Sequence, residues 1–205
     1  RSAQKDKALA VPGVKALVDI PAYKGAPAFQ PLGGVAVVAR NTWAATKGRE
    51  ALVLDWDEGP HASYDSVAYR KELEKSANSP GKVLRSNGDL EAAVKNAGNQ
   101  ALVKADYYVP HLAHASMEPP TATALLSADK SHCEIWTSVQ APEAARELVA
   151  AALGLKLEQV TVNVLLLGGA FGRKSKPDFA VEAALIAKTM PGTPVKVVWT
   201  RDDDI

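Results

Sequence analysis

The chain has 205 residues, of which 47% are apolar and 23% are charged, as in an ordinary globular protein of one or two domains. No apolar run approaches the ~18 residues of a membrane span, and a net charge of +1 argues against a nucleic-acid binder that relies on phosphate contacts. The lone Cys133 excludes an internal disulfide and a cysteine-ligated cluster within this chain.

The first 57 residues predict a compact β-loop-β-α-β piece. Asn41 is a suitable N-cap for the helix of this piece. The predicted elements are the end of a helix at Lys7–Ala10, strands at Lys15–Ile20, Gly34–Ala39 and Leu52–Trp56, a loop at Pro21–Leu32 and a helix at Thr42–Ala51. The piece has too few strands for a full sheet. It begins without an initiator Met or a signal-peptide core, so we expect residues 1–57 to be the end of a domain in a longer protein.

Residues 58–99 are interpreted as a helical linker. Tyr64–Ala77 has helical composition with few apolar anchors. The stretches Asn78–Gly81 and Ser86–Asp89 contain the Gly, Pro, Asn and Ser residues that are typical of turns. We expect one or two helices on the surface here.

Residues 100–205 predict a second domain, which makes the fold class α+β, or mixed α/β. Strands are predicted at Ala101–Val109, Thr121–Ser127, Cys133–Val139, Val160–Leu167 and Pro194–Thr200, and helices at Glu143–Leu153 and Asp178–Met190. From Cys133 to Thr200 the order is β-α-β-α-β, which gives parallel strands with right-handed crossovers. Gln140 and the loop Gly168–Gly172 therefore lie at the carboxyl ends of neighbouring strands, where open α/β sheets bind ligands.

The loop Gly168–Gly172 is the strongest single feature. Its glycines let a backbone or ligand come close, the helix that follows offers unpaired N–H groups, and Arg173, Lys174 and Lys176 add positive charge. One interpretation is a loop that holds a phosphate-bearing ligand, and the other is a tight, well-packed turn with solvated lysines. The Walker A spacing fails because Arg173 precedes Lys174-Ser175, and the dinucleotide pattern G-x-G-x-x-G is absent.

Other candidates have simple structural alternatives. His111, His114 and Glu118 could form a metal cluster, but the two histidines lie in a proline-flanked loop, and Glu118 could instead brace backbone groups. Ser138 lacks a nucleophile-elbow motif. The aromatic residues Trp136, Phe171 and Phe179 are expected in the core.

Several motifs together resemble the large molybdenum-binding subunit of the xanthine dehydrogenase and aldehyde oxidoreductase family. They are His114-Ala-Ser-Met-Glu-Pro119, Trp136-Thr-Ser-Val-Gln140, Gly168-Gly-Ala-Phe-Gly-Arg-Lys174 and Val198-Trp-Thr-Arg-Asp-Asp-Asp-Ile205. Gly33–Trp56 resembles the end of that family's α/β hammerhead domain. The branch with the greatest similarity is the isoquinoline 1-oxidoreductase β-subunit type, often described as aldehyde dehydrogenase.

The resemblance implies an architecture and an activity. Residues 1–57 would be the C-terminal part of the hammerhead domain, and 100–205 the first part of the molybdopterin-binding domain. The protein would oxidise aldehydes or N-heterocycles with water as the oxygen source. Its electrons would pass to a partner subunit that carries two [2Fe-2S] clusters. The cofactor would be a molybdenum-pterin dinucleotide, in the cytosine form. The compartment would be the bacterial periplasm or cytoplasm, with the periplasm favoured by resemblance.

The resemblance also assigns site residues. Gln140 would hydrogen-bond an oxo ligand, and the loop would line the cofactor without any protein side chain ligating the metal. The loop residues concerned are Gly168, Gly169, Ala170, Phe171, Gly172 and Arg173. An amide and bare backbone N–H groups suit oxo and phosphate oxygens.

Two departures from the family pattern matter. The glutamate base of the family has no match in this chain, and Ser175 stands where purine-oxidising members have Glu, which disfavours a xanthine-type substrate. We therefore expect this 205-residue piece alone to lack molybdenum and activity. The alternative function is a cofactor-free binding or interaction module of the same fold. An unrelated nucleotide-phosphate binder is disfavoured by the failed Walker spacing.

Overall fold

The structure is a computed structural model that describes residues 2–23, 29–57, 59–98 and 101–205. The strands are β1 (Ser2–Gln4), β2 (Val14–Ile20), β3 (Gly34–Ala39), β4 (Val53–Asp55), β5 (Thr121–Leu126), β6 (Cys133–Thr137), β7 (Val160–Val164) and β8 (Val195–Val198). The helices are α1 (Asp6–Leu9), α2 (Thr42–Ala51), α3 (Ser66–Ala77), α4 (Leu90–Ala97), α5 (Pro142–Leu153), α6 (Asp178–Ala187) and α7 (Arg201–Asp204). The chain divides into two compact units, one of residues 55–111 and one of residues 2–54 with 112–205.

A four-stranded mixed sheet with the order β7-β6-β5-β8 forms the centre of the larger unit. Strand β6 runs parallel to β7 through the crossover helix α5. Strand β5 is antiparallel to both β6 and β8. Strands β6, β7 and β8 therefore share one direction, as the β-α-β-α-β order predicts. The hairpin strand β5 lies between β6 and β8, which that order alone does not reveal.

Helix α6 is the centre of the hydrophobic core. Alternate residues of β5 and β6 are buried, so one face of the sheet is apolar. Eight of the ten residues of α6 are buried, among them Phe179 and Ile186. The apolar side chains of β2 and β3 (Val18, Ile20, Ala36 and Val38) pack against the same core. Because α6 is covered on several sides, its sequence is apolar all round rather than striped.

Strands β2 and β3 pair in antiparallel orientation, and helix α2 follows β3 in the chain. Asn41 caps α2 as predicted, since its Oδ1 accepts a hydrogen bond from the Ala44 N–H at 2.9 Å. Gly48 of α2 approaches the hairpin closely, because a Cβ atom there would lie 2.7 Å from both Val14 Cγ2 and Val37 Cγ1. The two short strands β1 and β4 pair with each other.

The smaller unit contains α3 and α4, and neither helix has a buried residue. Asp65 and Asp89 cap them by accepting hydrogen bonds from Ala68 and Ala92. An aromatic cluster joins α3 to the segment before residue 112. It contains Tyr64, Tyr69, His111 and Tyr108, with the Arg70 guanidinium 4.4 Å from the Tyr108 ring centroid.

The mixed helix-and-sheet class is confirmed, and besides shifts of a few residues at several element ends, three larger details differ from the sequence prediction. Ala101–Val109 is not a strand; residues 101–120 have no regular structure, and the apolar side chains of Val103 and Val109 are exposed. The strand predicted at Val160–Leu167 ends at Val164. Residues 2–54 pack in one unit with 112–205 rather than separately. Part of the predicted Pro21–Leu32 loop, at 24–28, lies outside the described residues.

Among the described residues, no helix has the length and apolar character needed to cross a membrane.

Candidate functional site

The glycine loop lies between the end of β7 and the start of α6. A 3₁₀ turn at Arg173–Ser175 joins the loop to the helix. Gly169, Phe171 and Gly172 have φ angles of +94°, +56° and +107°. A left-handed conformation is uncommon for a bulky residue such as Phe171, and backbone strain of this kind concentrates at functional sites.

Phe171 projects from the loop and is 75% exposed. The expectation that it is a core aromatic is therefore wrong, because the left-handed backbone at the tip of the loop directs the ring away from the core. Phe179, the second residue of helix α6, is fully buried. Trp136 is partly buried on β6.

Gln140 meets the glycine loop directly. Its Oε1 accepts a hydrogen bond from the Gly172 N–H at 3.1 Å, and its own backbone N–H donates to the Lys174 carbonyl at 3.1 Å. The predicted proximity of Gln140 and the loop is thus confirmed. The physical reason is the parallel pairing of β6 with β7, which brings the carboxyl ends of both strands to one edge. Gln140 is exposed.

Several donor groups at this edge have no protein acceptor. Within the described part of the chain, nothing accepts a hydrogen bond from the N–H groups of Gly169, Ala170 and Phe171, or from the Gln140 side-chain amide. The Ser116 Oγ, buried beside Gly169, also has no partner there. Successive N–H groups in alternating backbone conformations form a concavity suited to anions. The site therefore offers a row of hydrogen-bond donors to an oxygen-rich ligand.

The two cations at the end of the loop are paired internally. Lys174 is fully buried, and its Nζ lies 2.5 Å from Glu118 Oε2. The Arg173 guanidinium donates to both Asp178 oxygens at 3.1 and 3.2 Å and lies 5.1 Å from the Trp199 ring centroid. The prediction of a loop with solvated lysines is therefore wrong for Lys174. Neither cation extends toward the exposed side of the loop.

Glu118 braces backbone groups, as one sequence interpretation proposed. Its Oε2 accepts hydrogen bonds from the Gly168 N–H at 3.1 Å and from the Ser138 hydroxyl at 2.8 Å. Burial opposes its negative charge, but the hydrogen bonds from Lys174, Ser138 and Gly168 outweigh that effect and hold the pKa of Glu118 below its ordinary value. Glu118 is therefore ionised at neutral pH.

The metal-cluster interpretation finds no support among the described residues, where no group of three His, Cys, Asp or Glu side chains could hold an ion. His111 instead belongs to the aromatic cluster with Tyr64 and Tyr69. His114 lies beside the loop, since a Cβ atom on Gly172 would be 3.5 Å from its Nε2.

Sequence reasoning missed the contributions of Ser138 and of Glu182. Ser138 follows strand β6 within the motif that ends at Gln140, so its position could have suggested a contact with the loop. Glu182 is half-buried in α6, and its Oε2 accepts a hydrogen bond from the Trp199 indole at 2.7 Å. Burial raises the pKa of Glu182 to about 7. Nothing in the sequence distinguishes this glutamate from a solvated one.

Comparisons with known proteins identify the family of the chain. A family model described as "Molybdopterin cofactor-binding domain" matches residues 75–205. The isoquinoline 1-oxidoreductase subunit beta of Brevundimonas diminuta is 30% identical over 210 residues, which covers 95% of this chain and 24% of that protein. The xanthine dehydrogenase molybdenum-binding subunit of Escherichia coli O157:H7 is 29% identical, covering 82% of this chain and 22% of that protein.

The fold is also that of a solved structure, the aldehyde oxidoreductase from Desulfovibrio gigas. The two chains superpose with a TM-score of 0.69 at 20% identity, over 98% of this chain and 25% of the other. The chain thus spans about a quarter of the length of the relatives that it matches.

At this sheet edge a glutamine that follows one strand meets a glycine loop whose N–H groups at 169–171 have no acceptor among the described residues. Such an arrangement is suited to an oxygen-rich ligand. The chain belongs to the molybdopterin cofactor-binding domain family, which its model matches over more than half of the residues.

Proposed function

We propose that this chain forms one wall of the molybdenum cofactor site in an oxidoreductase of aldehydes or N-heterocycles. The observation that carries the proposal is the hydrogen bond from the Gly172 N–H to Gln140 Oε1, which joins the two motifs at one edge of the sheet. Family membership supports a molybdopterin ligand. The names of the Brevundimonas diminuta and Desulfovibrio gigas proteins support the reaction class.

The residues present suit such a ligand. The free N–H groups of Gly169, Ala170 and Phe171 would donate hydrogen bonds to its oxygen atoms, and the Gln140 amide, whose oxygen is already engaged by Gly172, would donate through its nitrogen. Rigid, pre-oriented donors of this kind stabilise charge that develops on oxygen. The exposed ring of Phe171 would exclude water from one side of the ligand. Arg173 would support the loop rather than the ligand, because its guanidinium is bound to Asp178.

The bound group would supply the redox chemistry, which this chain does not have in its own side chains. We further propose that the cofactor is the cytosine dinucleotide form, that water supplies the oxygen atom, and that electrons leave to a partner subunit with two [2Fe-2S] clusters. No residue of this chain matches the family's glutamate base, so a base would come from elsewhere in the whole enzyme.

The Gln140→Ala substitution tests the proposal in the purified full-length enzyme. We expect turnover to fall ~10²–10³-fold, since removing one preorganised donor costs ~2.7–4 kcal/mol in comparable oxyanion sites. Molybdenum content per protein should change little, because the backbone donors of the loop remain. The measurement is steady-state turnover with several aldehydes beside elemental analysis.

Gln159→Ala is the matched control, since Gln159 also makes side-chain hydrogen bonds, to Lys156 and Ser131, but lies outside the site. Equal turnover of Gln140→Ala and wild type at full molybdenum would remove Gln140 from the site. The absence of molybdenum from the wild-type enzyme would instead favour the alternative, a cofactor-free binding module.

A further inference from the structure

Lys174 holds a charged amine inside the protein next to the glycine loop. The residue is fully buried, and its Nζ lies 2.5 Å from Glu118 Oε2 and 3.5 Å from the Ser138 hydroxyl. A buried ammonium group is costly unless it is paired with an opposite charge and hydrogen-bonded. The position of the Lys174 Nζ is therefore fixed by its protein partners, because the buried amine has no contact with solvent.

The partner of Lys174 holds the other end of the same loop. Glu118 Oε2 accepts a hydrogen bond from the Gly168 N–H, and the Glu118 N–H donates to the Gly168 carbonyl, both at 3.1 Å. Gly168 fits there only without a side chain, since a Cβ atom would lie 2.6 Å from Glu118 Cβ. Glu118 therefore fixes the first residue of the loop, while its ion pair with Lys174 fixes the second residue after the end of the loop.

The backbone of Lys174 contacts Gln140, the catalytic candidate that follows strand β6. The Gln140 N–H donates to the Lys174 carbonyl at 3.1 Å, and the Gly172 N–H donates to Gln140 Oε1. The position of the Lys174 main chain thus sets the distance between the loop and the Gln140 amide. A change in the Lys174–Glu118 ion pair would therefore move both the loop and the Gln140 side chain.

We propose that Lys174 is a positioning residue, which with Glu118 and Ser138 closes the loop into a clamp and keeps its free N–H groups beside the Gln140 amide. The proposal rests on the proposed function for the identity of the ligand, but the clamp itself is a property of the protein. Its basic charge does not contact the ligand. The ion pair between the buried Lys174 and the partly exposed Glu118 instead keeps in place a loop whose strained residues, such as Phe171 at φ +56°, need support from the surrounding structure.

The test is hydrogen–deuterium exchange of the purified full-length protein, measured separately for the loop peptide (168–174) and for the core peptide of strand β6 (133–137). Lys174→Met removes the charge and keeps most of the stem. We expect the hydrogen-bonded amides of its loop peptide, those of Gly172 and Arg173, to exchange at least tenfold faster than in wild type, with little change in the core peptide. Lys188→Met is the matched control, because Lys188 is an exposed lysine at the end of α6, and both of its peptides should match wild type.

Glu118→Gln is the second variant for the exchange experiment, and it replaces Lys174→Met if that variant does not fold. It keeps an oxygen for the Gly168 N–H but removes the charge, so the loop peptide should again exchange faster than the core peptide. In enzyme that contains molybdenum, both variants should lower kcat more than they raise KM. Loop exchange equal to wild type in the folded variants would overturn the clamp, whatever the molybdenum content. Faster loop exchange in a protein without molybdenum would support the clamp and contradict the proposed function instead.

Discussion

Arg173 and Lys174 are basic residues at the end of the glycine loop, but neither presents a free positive charge at the loop surface. Both side chains are engaged by carboxylates of the same unit, Arg173 by Asp178 and Lys174 by Glu118. The Asp178 side chain is almost fully buried and so is the Lys174 amine, whereas the Glu118 side chain is partly exposed. The proposed ligand contacts of the loop are therefore its neutral N–H groups.

Glu182 carries the clearest pH dependence at the residue scale. It faces Asp178 of its own helix, Asp203 of α7 and Arg173, and burial raises its pKa to about 7 from an ordinary value of 4.5. Between these two values the folded state binds more protons at Glu182 than the unfolded state does. The contribution of Glu182 to the free energy of unfolding therefore falls as the pH rises from 4.5 to 7.

We expect Glu182→Gln to remove this fall while keeping an acceptor for the Trp199 indole. Relative to wild type, the variant should gain about 1–3 kcal/mol of stability between pH 5 and pH 8. Urea unfolding at several pH values measures the difference. Glu147→Gln, at an exposed position of helix α5, should follow wild type throughout. A constant difference between Glu182→Gln and wild type from pH 5 to pH 8 would show that Glu182 titrates normally.

At the scale of elements, strands and helices with strong local signals were predicted well. Gly34–Ala39 and Thr42–Ala51 match the structure residue for residue, because apolar runs, an Asn cap and turn residues bound them locally. Helix α5 ends at Leu153, as predicted, and Gly154 follows it in a left-handed conformation. The meeting of Gln140 with the loop was also predictable, since it follows from one parallel crossover.

The errors at this scale have a common cause, which is tertiary context. Ala101–Val109 has the composition of a strand but no pairing partner among the described residues, so its apolar side chains remain exposed. The position of β5 between β6 and β8 depends on non-local pairing, which periodicity does not encode. The same holds for the burial of Lys174: its partner Glu118 is 56 residues away in sequence.

The helices α3 and α4 should be the least stable elements of the chain. Neither has a buried residue, and irregular structure separates them at 78–89. Exposed segments with few packing contacts open locally and are cleaved first. Limited trypsin digestion, followed by mass spectrometry, should therefore cut first between residues 57 and 99, at Lys82 or Arg85. A first cut at Arg146 or Lys196, in α5 or β8, would contradict this order of stability.

At the scale of the whole molecule, the two pieces expected from the sequence share one core. The hairpin β2–β3 packs against α6, and Arg49 of α2 lies 2.8 Å from Asp203 of α7. The assignment of residues 1–57 to a hammerhead domain and of 100–205 to a cofactor domain remains a prediction. The family match begins at residue 75, inside the segment that we predicted as a linker.

The central claim is that the edge formed by Gln140 and the glycine loop binds the molybdenum cofactor. An electron cryo-microscopy or crystal structure of the full-length enzyme, purified with its cofactor, tests this claim most directly. We predict cofactor density within hydrogen-bonding distance of the Gln140 side-chain nitrogen and of at least one of the Gly169, Ala170 and Phe171 N–H groups. Cofactor density elsewhere in the enzyme, with this edge covered only by protein or solvent, would contradict the account.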